Sequence, residues 1–430
     1  MSVRTLIDAS PMSRLQLRVM ALCFLLNMLD GMDVLAISFA APAIAEQWSI
    51  SPQALGIVFS AALVGMTIGA LVISPMTDKV GRRRMILASL CMVAVAMVAT
   101  SAAQSVWQLA LLRLLAGLGI GSMLASLTAL VAEYSPDAKR NQAILVLHAA
   151  YPVGAIIAGF VAAWIVPHWG WRPLFVLAGL VSAVVIPLVF WGLPESLDFL
   201  AHRQPANALV TINRILQKMA HAPLPELPAP VAEEGASVGV AALLAPNIRA
   251  ATLLLWLAFM MSFATLYFLF SWVVKLAVEA GLDVSKAMLA GISLNLGAFF
   301  GSISLGLLSA RFGLARTISL FFFCAAAMSV AYGNLQVSVL VILVLIFLLM
   351  YFVQGGFTGL YAVAARLYPT EIRTTGVGWA IGAGRLGAIA GPAVAGFILG
   401  AGVPIGWTFI LFSLPLVVAG LVIVRLKGVA

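Results

Sequence analysis

Long apolar segments, separated by short polar breaks, follow one another along almost the whole chain. About twelve of them are long enough to cross a lipid bilayer, because a membrane-spanning helix needs roughly 20 apolar residues. Six segments precede one long polar interval and six follow it. We predict spans at 18–45, 53–75, 85–104, 107–133, 141–166, 172–193, 249–274, 287–309, 315–333, 336–365, 374–401 and 404–425.

The polar interval runs from Pro194 to Asn247 and contains four prolines between positions 223 and 230. This composition is typical of a linker, and one short helix is expected near Ala206–Ala220. The pattern predicts an all-α membrane protein whose twelve transmembrane helices form two pseudo-symmetric six-helix bundles. We expect an N-terminal bundle over 1–193, a cytoplasmic linker over 194–247 and a C-terminal bundle over 248–430.

The composition excludes an ordinary soluble domain, because 63% of the 430 residues are hydrophobic and only 9% are charged. The net charge of +9 does not indicate nucleic-acid binding, since membrane proteins collect lysine and arginine on their cytoplasmic side. The three cysteines lie in apolar segments, and the four histidines show no metal-ligand spacing. We expect no disulfide, metal site, cofactor, nucleic-acid partner or cleavable signal peptide.

The basic residues predict the orientation in the membrane. With both termini and the linker in the cytoplasm, only Arg172, Lys275 and Lys286 fall on the opposite side. Arg113 and Arg385 fall inside the membrane, and the other lysines and arginines lie on the cytoplasmic side. The positive-inside rule therefore favours cytoplasmic termini.

Two carboxylates, Asp30 and Asp33, interrupt the first apolar segment. Residues three apart share one face of a helix. An ionised side chain near mid-bilayer costs about 3 kcal/mol on insertion scales, so such residues usually face a cavity or a partner. Two coupled acids can hold a proton near neutral pH, and we interpret the pair as a proton-binding site. The alternative is a pair that caps or hydrogen-bonds within the bundle. Gly31, between them, should allow a close backbone approach.

The two halves contain related sequences at a nearly constant spacing. Glu133-Tyr-Ser-Pro136 precedes the fifth segment, and Arg366-Leu-Tyr-Pro369 precedes the eleventh. Gly81 recurs as Gly313, at almost the same distance along the chain. Parallel six-helix repeats of this kind are the architecture of major facilitator transporters.

Several motifs carry a resemblance to the major facilitator superfamily over nearly the whole chain. Ser74-Pro-Met-Thr-Asp-Lys-Val-Gly-Arg-Arg-Arg84 resembles its cytoplasmic loop signature, while Arg113-Leu-Leu-Ala-Gly-Leu-Gly-Ile-Gly121 and Pro194-Glu-Ser196 resemble signatures of the fourth and sixth spans. Within the superfamily, the chain is similar to the aromatic acid:proton symporter family. The similarity lies in Pro11-Met-Ser-Arg14, Asp30-Gly-Met-Asp33, Ala41-Pro42-Ala-Ile44 and Gly382-Ala-Gly-Arg385-Leu-Gly387.

The chain departs from the family pattern at two places. Ala310 stands where the second copy of the loop signature would carry an acid, which predicts an asymmetric cytoplasmic gate. Ser271-Trp-Val-Val-Lys275 lacks the proline that relatives often carry after the tryptophan, and this leaves the identity of the substrate open.

Arg385 lies about twelve residues inside the eleventh segment, or ~18 Å deep at helical rise. Its planar fork of donors matches a carboxylate, and we predict that it binds the carboxylate of a substrate. The alternative is a structural ion pair with a buried acid. The resemblance implies that Arg113 is a second intramembrane cation facing the first span. It would pair with Asp30 or Asp33, or hold the substrate, and we favour the pair.

Other side chains are weaker candidates for the substrate site. His148 could titrate near physiological pH, although a lone histidine on an apolar helix is more often a hydrogen-bonded packing residue. Packing is the simpler role for each single aromatic residue, and only as a group do they favour a ring-shaped ligand. The uncharged polar candidates are Tyr151, Asn295, Gln354 and Tyr361, and the aromatic ones are Phe39, Phe268, Trp272, Tyr351 and Trp379.

We predict that Asp78, Arg82, Arg83 and Glu133 form a cytoplasmic gate, whose contacts break when the transporter switches. The simpler interpretation of the basic run is membrane topology and headgroup attraction. The glycines of the fourth and eleventh segments should permit close helix contact and do not form phosphate loops.

The predicted function is proton-coupled import of a small aromatic or aromatic-derived carboxylate, such as a benzoate-, hydroxybenzoate- or muconate-like acid, across a bacterial inner membrane. Protons, this carboxylate and the lipid bilayer are the expected partners, and the resemblance implies a monomer. A symporter of a non-aromatic organic anion is the first alternative, and a drug/proton antiporter is the second. An enzyme is not expected, since no nucleophile–base set or metal cluster is apparent.

Overall fold

The computed structural model describes residues 3–8, 11–227, 240–246, 248–334, 338–369 and 372–426. In these ranges the chain is helical and contains no β-strand. Twelve helices are long and apolar enough to cross a membrane, which confirms the predicted number of spans and the fold class. They are α1 (Arg14–Trp48), α2 (Pro52–Val80), α3 (Arg82–Ser101), α4 (Val106–Tyr134), α5 (Asp137–Trp169), α6 (Arg172–Gly192), α7 (Arg249–Glu279), α8 (Val284–Phe312), α9 (Leu314–Asn334), α10 (Val339–Leu367), α11 (Arg373–Gly400) and α12 (Ile405–Arg425).

Short helices accompany the spans on one side of the molecule. The predicted linker helix is present as Ala208–Lys218, and a second one, Leu197–Arg203, was not expected. Residues 228–239 and 247 of the predicted linker lie outside the described residues. We call the side that carries these helices the linker face, and the other side the opposite face.

Several spans begin at a capping residue that satisfies free backbone amides, as helix ends require. Ser13 and Gln16 form a reciprocal capping box at the start of α1. The Ser51 hydroxyl accepts a hydrogen bond from the backbone amide of Ala54 at the start of α2. On the opposite face, Asp283 likewise accepts from the backbone amide of Lys286 and starts α8. These caps set where the chain turns back into the apolar segments.

The same helix pairs form in both halves of the chain. The most extensive contacts of the first half are α1–α5, α2–α4, α3–α4 and α3–α6, and their counterparts α7–α11, α8–α10, α9–α10 and α9–α12 recur in the second half. The two six-helix bundles are therefore pseudo-symmetric, as the sequence repeats predict.

Glycines allow the backbones of paired helices to approach closely. A Cβ atom on Gly31 or Gly154 would meet the backbone carbonyl of Tyr151 or Met28, so α1 and α5 touch beside the two aspartates. Gly387, the counterpart of Gly154 in the second repeat, packs against the carbonyl of Met260 in the same way between α7 and α11. The predicted close approach at Gly31 is confirmed.

In one contact of this symmetric set, the glycine lies on a different helix in each half. Gly31 of α1 lies against the backbone of Tyr151 of α5. At the equivalent place of the second repeat, the ring of Phe263 in α7 covers Gly384 of α11. The glycine stands on α1 in one bundle and on α11, the counterpart of α5, in the other.

The two bundles meet toward the opposite face. The Ser60 hydroxyl of α2 donates a 2.7 Å hydrogen bond to the carbonyl of Ile389 in α11. The Ser38 hydroxyl of α1 donates a 3.1 Å hydrogen bond to the carbonyl of Ser271 in α7. A Cβ atom on Gly56 would lie 3.2 Å from the Cα of Gly396, so α2 and α11 touch there. These contacts join the bundles, and we call the region that they form the seam.

Candidate functional site

Asp30 and Asp33 lie deep in α1, and each is 2% exposed. None of their four carboxylate oxygens has a hydrogen-bond partner among the described residues. The hydrogen bonds that a purely structural pair would need are therefore not formed there. Because a buried charge is costly unless it is compensated, these oxygens are suited to take up a proton.

Arg113 of α4 is also 2% exposed, but its guanidinium contacts other groups than the aspartates. It donates to the hydroxyl of Thr100 over 2.7 Å and to the Met97 sulfur over 3.0 Å. It also lies 4.9 Å from the ring centre of Phe175. Arg113 and Asp33 interact electrostatically, yet no ion pair within 4.0 Å joins them in the described chain. The favoured contact pair is thus absent from this conformation, and the two charges act on each other at longer range.

Helix α5 supplies the wall next to Asp30. The Asn27 amide donates a 2.7 Å hydrogen bond to the carbonyl of Leu147, which fixes α1 against α5 one turn before the aspartates. Tyr151 is half-buried and lies within electrostatic range of Asp30.

His148 is exposed and precedes Tyr151 by three residues on the same helix face. Its ring has no hydrogen-bond partner among the described residues. The hydrogen bond that a packing histidine would need is therefore not formed there, and a binding role for His148 stays a prediction.

Arg385 of α11 is half-buried, and its guanidinium has neither a hydrogen bond nor an ion pair with any described residue. Its electrostatic neighbours are the phenol groups of Tyr267 and Tyr361. The structural ion pair that the sequence left open is therefore not formed. An uncompensated guanidinium beside aromatic rings is available to an anionic ligand.

A chain of aromatic rings connects Tyr151 to the neighbourhood of Arg385. Its rings belong to α5, α7 and α10, and neighbouring ring centres are separated by 4.6–6.4 Å. The order is Tyr151, Phe270, Tyr267, Phe263, Phe357 and Tyr361. The ring chain contains two predicted residues, Tyr151 and Tyr361, and four that the sequence analysis missed. The signal for three of these was present, because Phe263, Tyr267 and Phe270 follow the i, i+4, i+7 spacing of one helix face.

The structure places the predicted tryptophans away from this ring chain. Trp272 is fully buried in the seam, where its indole N–H donates a 3.0 Å hydrogen bond to the carbonyl of Pro392. A substrate could touch Trp272 only after the seam opens. Trp379 is 47% exposed and stacks on Trp256 with ring centres 6.0 Å apart. The roles of both as substrate-binding residues stay predictions.

The remaining aromatic candidates pack within the protein. Phe268 stacks on Phe412 at 4.0 Å, inside the second bundle. Tyr351 packs on Phe321 at 5.6 Å in the same bundle. Phe39 is buried beside Gly291, where α1 meets α8. For these three, packing was the better interpretation.

Two uncharged polar candidates keep an unsatisfied group. Asn295 of α8 is 1% exposed, and its amide donates to the carbonyl of Gly291 over 2.9 Å. Its side-chain oxygen has no partner among the described atoms. Gln354 of α10 is half-buried, and its side chain makes no hydrogen bond to another described residue. Their binding roles stay predictions.

The predicted gate residues form a network at the linker face. Arg82 makes an ion pair with Glu133, and a weaker one of 4.0 Å with Asp78. Glu133 also accepts a 2.6 Å hydrogen bond from the Ser196 hydroxyl. Arg83 joins the network through its backbone amide, which donates a 3.0 Å hydrogen bond to Glu195, a residue that the motifs do not predict for the gate. All these groups belong to the first half of the chain and the segment that follows α6.

Comparison with known families decides the class of the chain. The family model described as Major Facilitator Superfamily matches residues 23–355. The chain belongs to the Major Facilitator Superfamily. It is a multi-pass membrane transporter rather than an enzyme, as the motifs predicted.

Curated relatives align with nearly the whole chain. A gallate transporter of Pseudomonas putida is 32% identical over 423 residues, which cover 98% of this chain and 94% of the relative. The 4-hydroxybenzoate transporter PcaK of Pseudomonas aeruginosa is 33% identical and covers 95% and 91%. A 3-(3-hydroxy-phenyl)propionate transporter of Escherichia coli is 32% identical and covers 94% and 91%. The resemblance to aromatic acid transporters is thereby confirmed.

Solved structures show the same fold. A bacterial homolog to the human lysosomal transporter Spinster, in an inward-facing and occupied conformation, superimposes with a TM-score of 0.73. It is 17% identical in sequence, and the match covers 96% of this chain and 97% of that one. This similarity supports the major facilitator fold.

Proposed function

We propose that this transporter imports a small aromatic carboxylate together with protons across a bacterial inner membrane. The observation that carries the proposal is the guanidinium of Arg385 beside one end of the ring chain, with no hydrogen-bond or ion-pair partner among the described residues. At the other end of that chain, Asp30 lies near Tyr151, and its oxygens likewise have no partner in the described part of the protein. The names of relatives that transport gallate and 4-hydroxybenzoate support the class of substrate.

In this proposal the linker face is cytoplasmic, in agreement with the positive-inside rule. The seam then closes the periplasmic side, so that the conformation is open to the cytoplasm. We propose that segments 1–193 and 248–430 rock about the site as two bodies joined by the linker 194–247, and that one copy of the chain is sufficient.

Coupling would arise from the charges of the two bundles. In the outward-open state a proton neutralises Asp33 or Asp30, and the substrate carboxylate neutralises Arg385. Closing the bundles around uncompensated charges would be costly, so the loaded state closes more readily than a half-loaded one. Proton and anion binding are then linked, and each raises the affinity for the other. Release into the cytoplasm resets the acid.

We propose that the Arg82–Glu133 network closes the cytoplasmic side in the alternate state. Its contacts lie within one bundle here, and the second bundle carries Arg366 where the repeat would place a counterpart of Glu133. When the bundles close on the cytoplasmic side, Glu133 of the first bundle would therefore face Arg366 of the second.

The test is transport by purified protein in liposomes under an inward proton gradient. Accumulation of benzoate or 4-hydroxybenzoate that stops with a protonophore is the expected result. A panel that adds succinate and a lipophilic cation separates the alternatives. Uptake of succinate alone would favour a non-aromatic anion symporter, and outward movement of the cation would favour an antiporter.

A further inference from the structure

The hydroxyl groups of Tyr151 and Tyr267 have no hydrogen-bond partner among the described residues. Both hydroxyls belong to half-buried side chains and retain access to solvent. A ligand can therefore reach both hydroxyls.

The two phenols lie close together although they come from different bundles. Tyr151 of α5 packs edge-on against Phe270, with ring centres 6.4 Å apart. Tyr267 of α7 packs against the same ring at 6.1 Å and stacks on Phe263 at 5.8 Å. Tyr267 is also within electrostatic range of Tyr151 on one side and of Arg385 on the other.

A small cavity of about 20 Å³, which has room for a single hydroxyl group or water molecule, lies beside Tyr267 at the seam. It is lined by Val34 and Ser38 of α1, Phe59 of α2, and Tyr267, Phe270 and Ser271 of α7. The lining is mostly apolar, and its polar side chains are those of Ser38, Ser271 and Tyr267. A ligand ring that extends from Arg385 toward α5 would present its far edge to the hydroxyls of Tyr151 and Tyr267.

We propose that Tyr151 and Tyr267 form a subsite for a ring hydroxyl, so that the transporter selects aromatic acids hydroxylated at the meta or para position. This inference rests on the proposed function, because Arg385 must hold the carboxylate at the other end of the ring. A phenol can both donate and accept, and therefore pairs with a hydroxyl in either sense. An ortho hydroxyl bonds to its own carboxylate and would gain nothing from the subsite.

A site built to hydrogen-bond a substrate hydroxyl discriminates against an analogue that lacks it, because its own polar groups then stay unpaired. One such bond corresponds to about tenfold in affinity. We expect wild-type protein to bind 3- or 4-hydroxybenzoate about tenfold more tightly than benzoate or 2-hydroxybenzoate.

The experiment measures the dissociation constants of these four acids for purified full-length protein by calorimetry. Tyr267→Phe and Tyr151→Phe should each reduce the ratio of the dissociation constants for benzoate and the hydroxylated acid toward one, because the hydrogen bond to the ring hydroxyl is lost. Tyr332→Phe is the control, because that ring packs on Phe409 at 4.6 Å in the second bundle. It should keep the wild-type preference.

The outcomes distinguish failure of the subsite from failure of the proposed function. Equal affinity of the wild type for benzoate and both hydroxylated acids, or an unchanged preference in both phenylalanine variants, would overturn the subsite and leave the proposed function standing. Absence of binding for every aromatic acid would overturn the proposed function and the subsite with it. Loss of benzoate binding in Tyr267→Phe would overturn the subsite by showing a general role in the site.

Discussion

The Arg113 guanidinium donates a 2.7 Å hydrogen bond to the hydroxyl of Thr100, and the Asp33 carboxylate has no hydrogen-bond or ion-pair partner among the described residues. A cation and an acid that act on each other at a distance can exchange partners when the acid gains or loses a proton. This arrangement makes Asp33 the first residue to test for coupling.

Asp33→Asn should abolish uptake driven by a pH gradient, because an amide cannot take up and release the coupled proton. Exchange of labelled for unlabelled substrate across the membrane needs no net proton movement and should persist. Asp30→Asn, measured in the same two assays, shows which acid couples. Wild-type accumulation in Asp33→Asn would exclude it as the coupling acid.

Arg385→Ala should weaken binding of aromatic acids at least tenfold, since a charge-assisted hydrogen bond contributes about 1.5–3 kcal/mol. Arg385→Lys should recover part of the affinity, because lysine restores the charge without the fork. Calorimetric titration of purified protein measures both. Arg311→Ala, at the end of α8, is the matched control and should bind as the wild type does. An affinity of Arg385→Ala equal to that of the wild type would assign Arg385 a structural role.

Gly154→Ala should destabilise the protein, because the new Cβ would collide with the carbonyl of Met28 and force α1 away from α5. Overpacking of this kind costs about 1–3 kcal/mol. Gly306→Ala in α8 is the control, since nothing lies within 4 Å of its new Cβ. A melting temperature for Gly154→Ala equal to that of Gly306→Ala would contradict the close contact.

Glu133→Gln should slow transport while leaving the affinity for substrate unchanged, because Glu133 lies at the linker face and not beside Arg385. The ion pair to Arg82 would be lost, and with it part of the gate network. Initial uptake rates and calorimetric affinities are compared in the same preparation. Asp137→Asn, whose carboxylate pairs with Arg4 at 2.8 Å, is the control at the same face. An altered affinity in Glu133→Gln would contradict a pure gate role.

Much of the fold was predictable, because apolar length determines which segments can span a membrane. Asp30, Arg113 and Arg385 were equally visible, since a charge within an apolar segment stands out in any sequence. The rotation of each helix was harder to predict. Phe268 and Tyr267 are neighbours in the chain, but one step turns a side chain by about 100°. Phe268 therefore stacks on Phe412 within the bundle while Tyr267 reaches the site.

The seam could not be predicted at all. In the proposed alternation between two states, one sequence must serve both states, and the free energies of such states differ by only a few kcal/mol. In the proposed alternation, the burial of Trp272 depends on which state is adopted, because its ring packs on Phe59 of α2 in the other bundle, with ring centres 5.4 Å apart. Sequence patterns indicate which residues a helix can bury, but not in which of the two states those residues are buried.

The different placement of Gly31 and Gly384 in the two repeats has a consequence for how the substrate preference can change through mutation. In the first bundle, Gly31 lies between the two acids and against the backbone of Tyr151, whereas in the second bundle the ring of Phe263 occupies the corresponding position. In the proposed function, the two acids and five of the six rings of the ring chain therefore belong to different copies of one repeat, and Tyr151 is the exception. Substitutions of ring residues in α7 and α10 are then expected to change the preferred acid without altering the surroundings of Asp30 and Asp33.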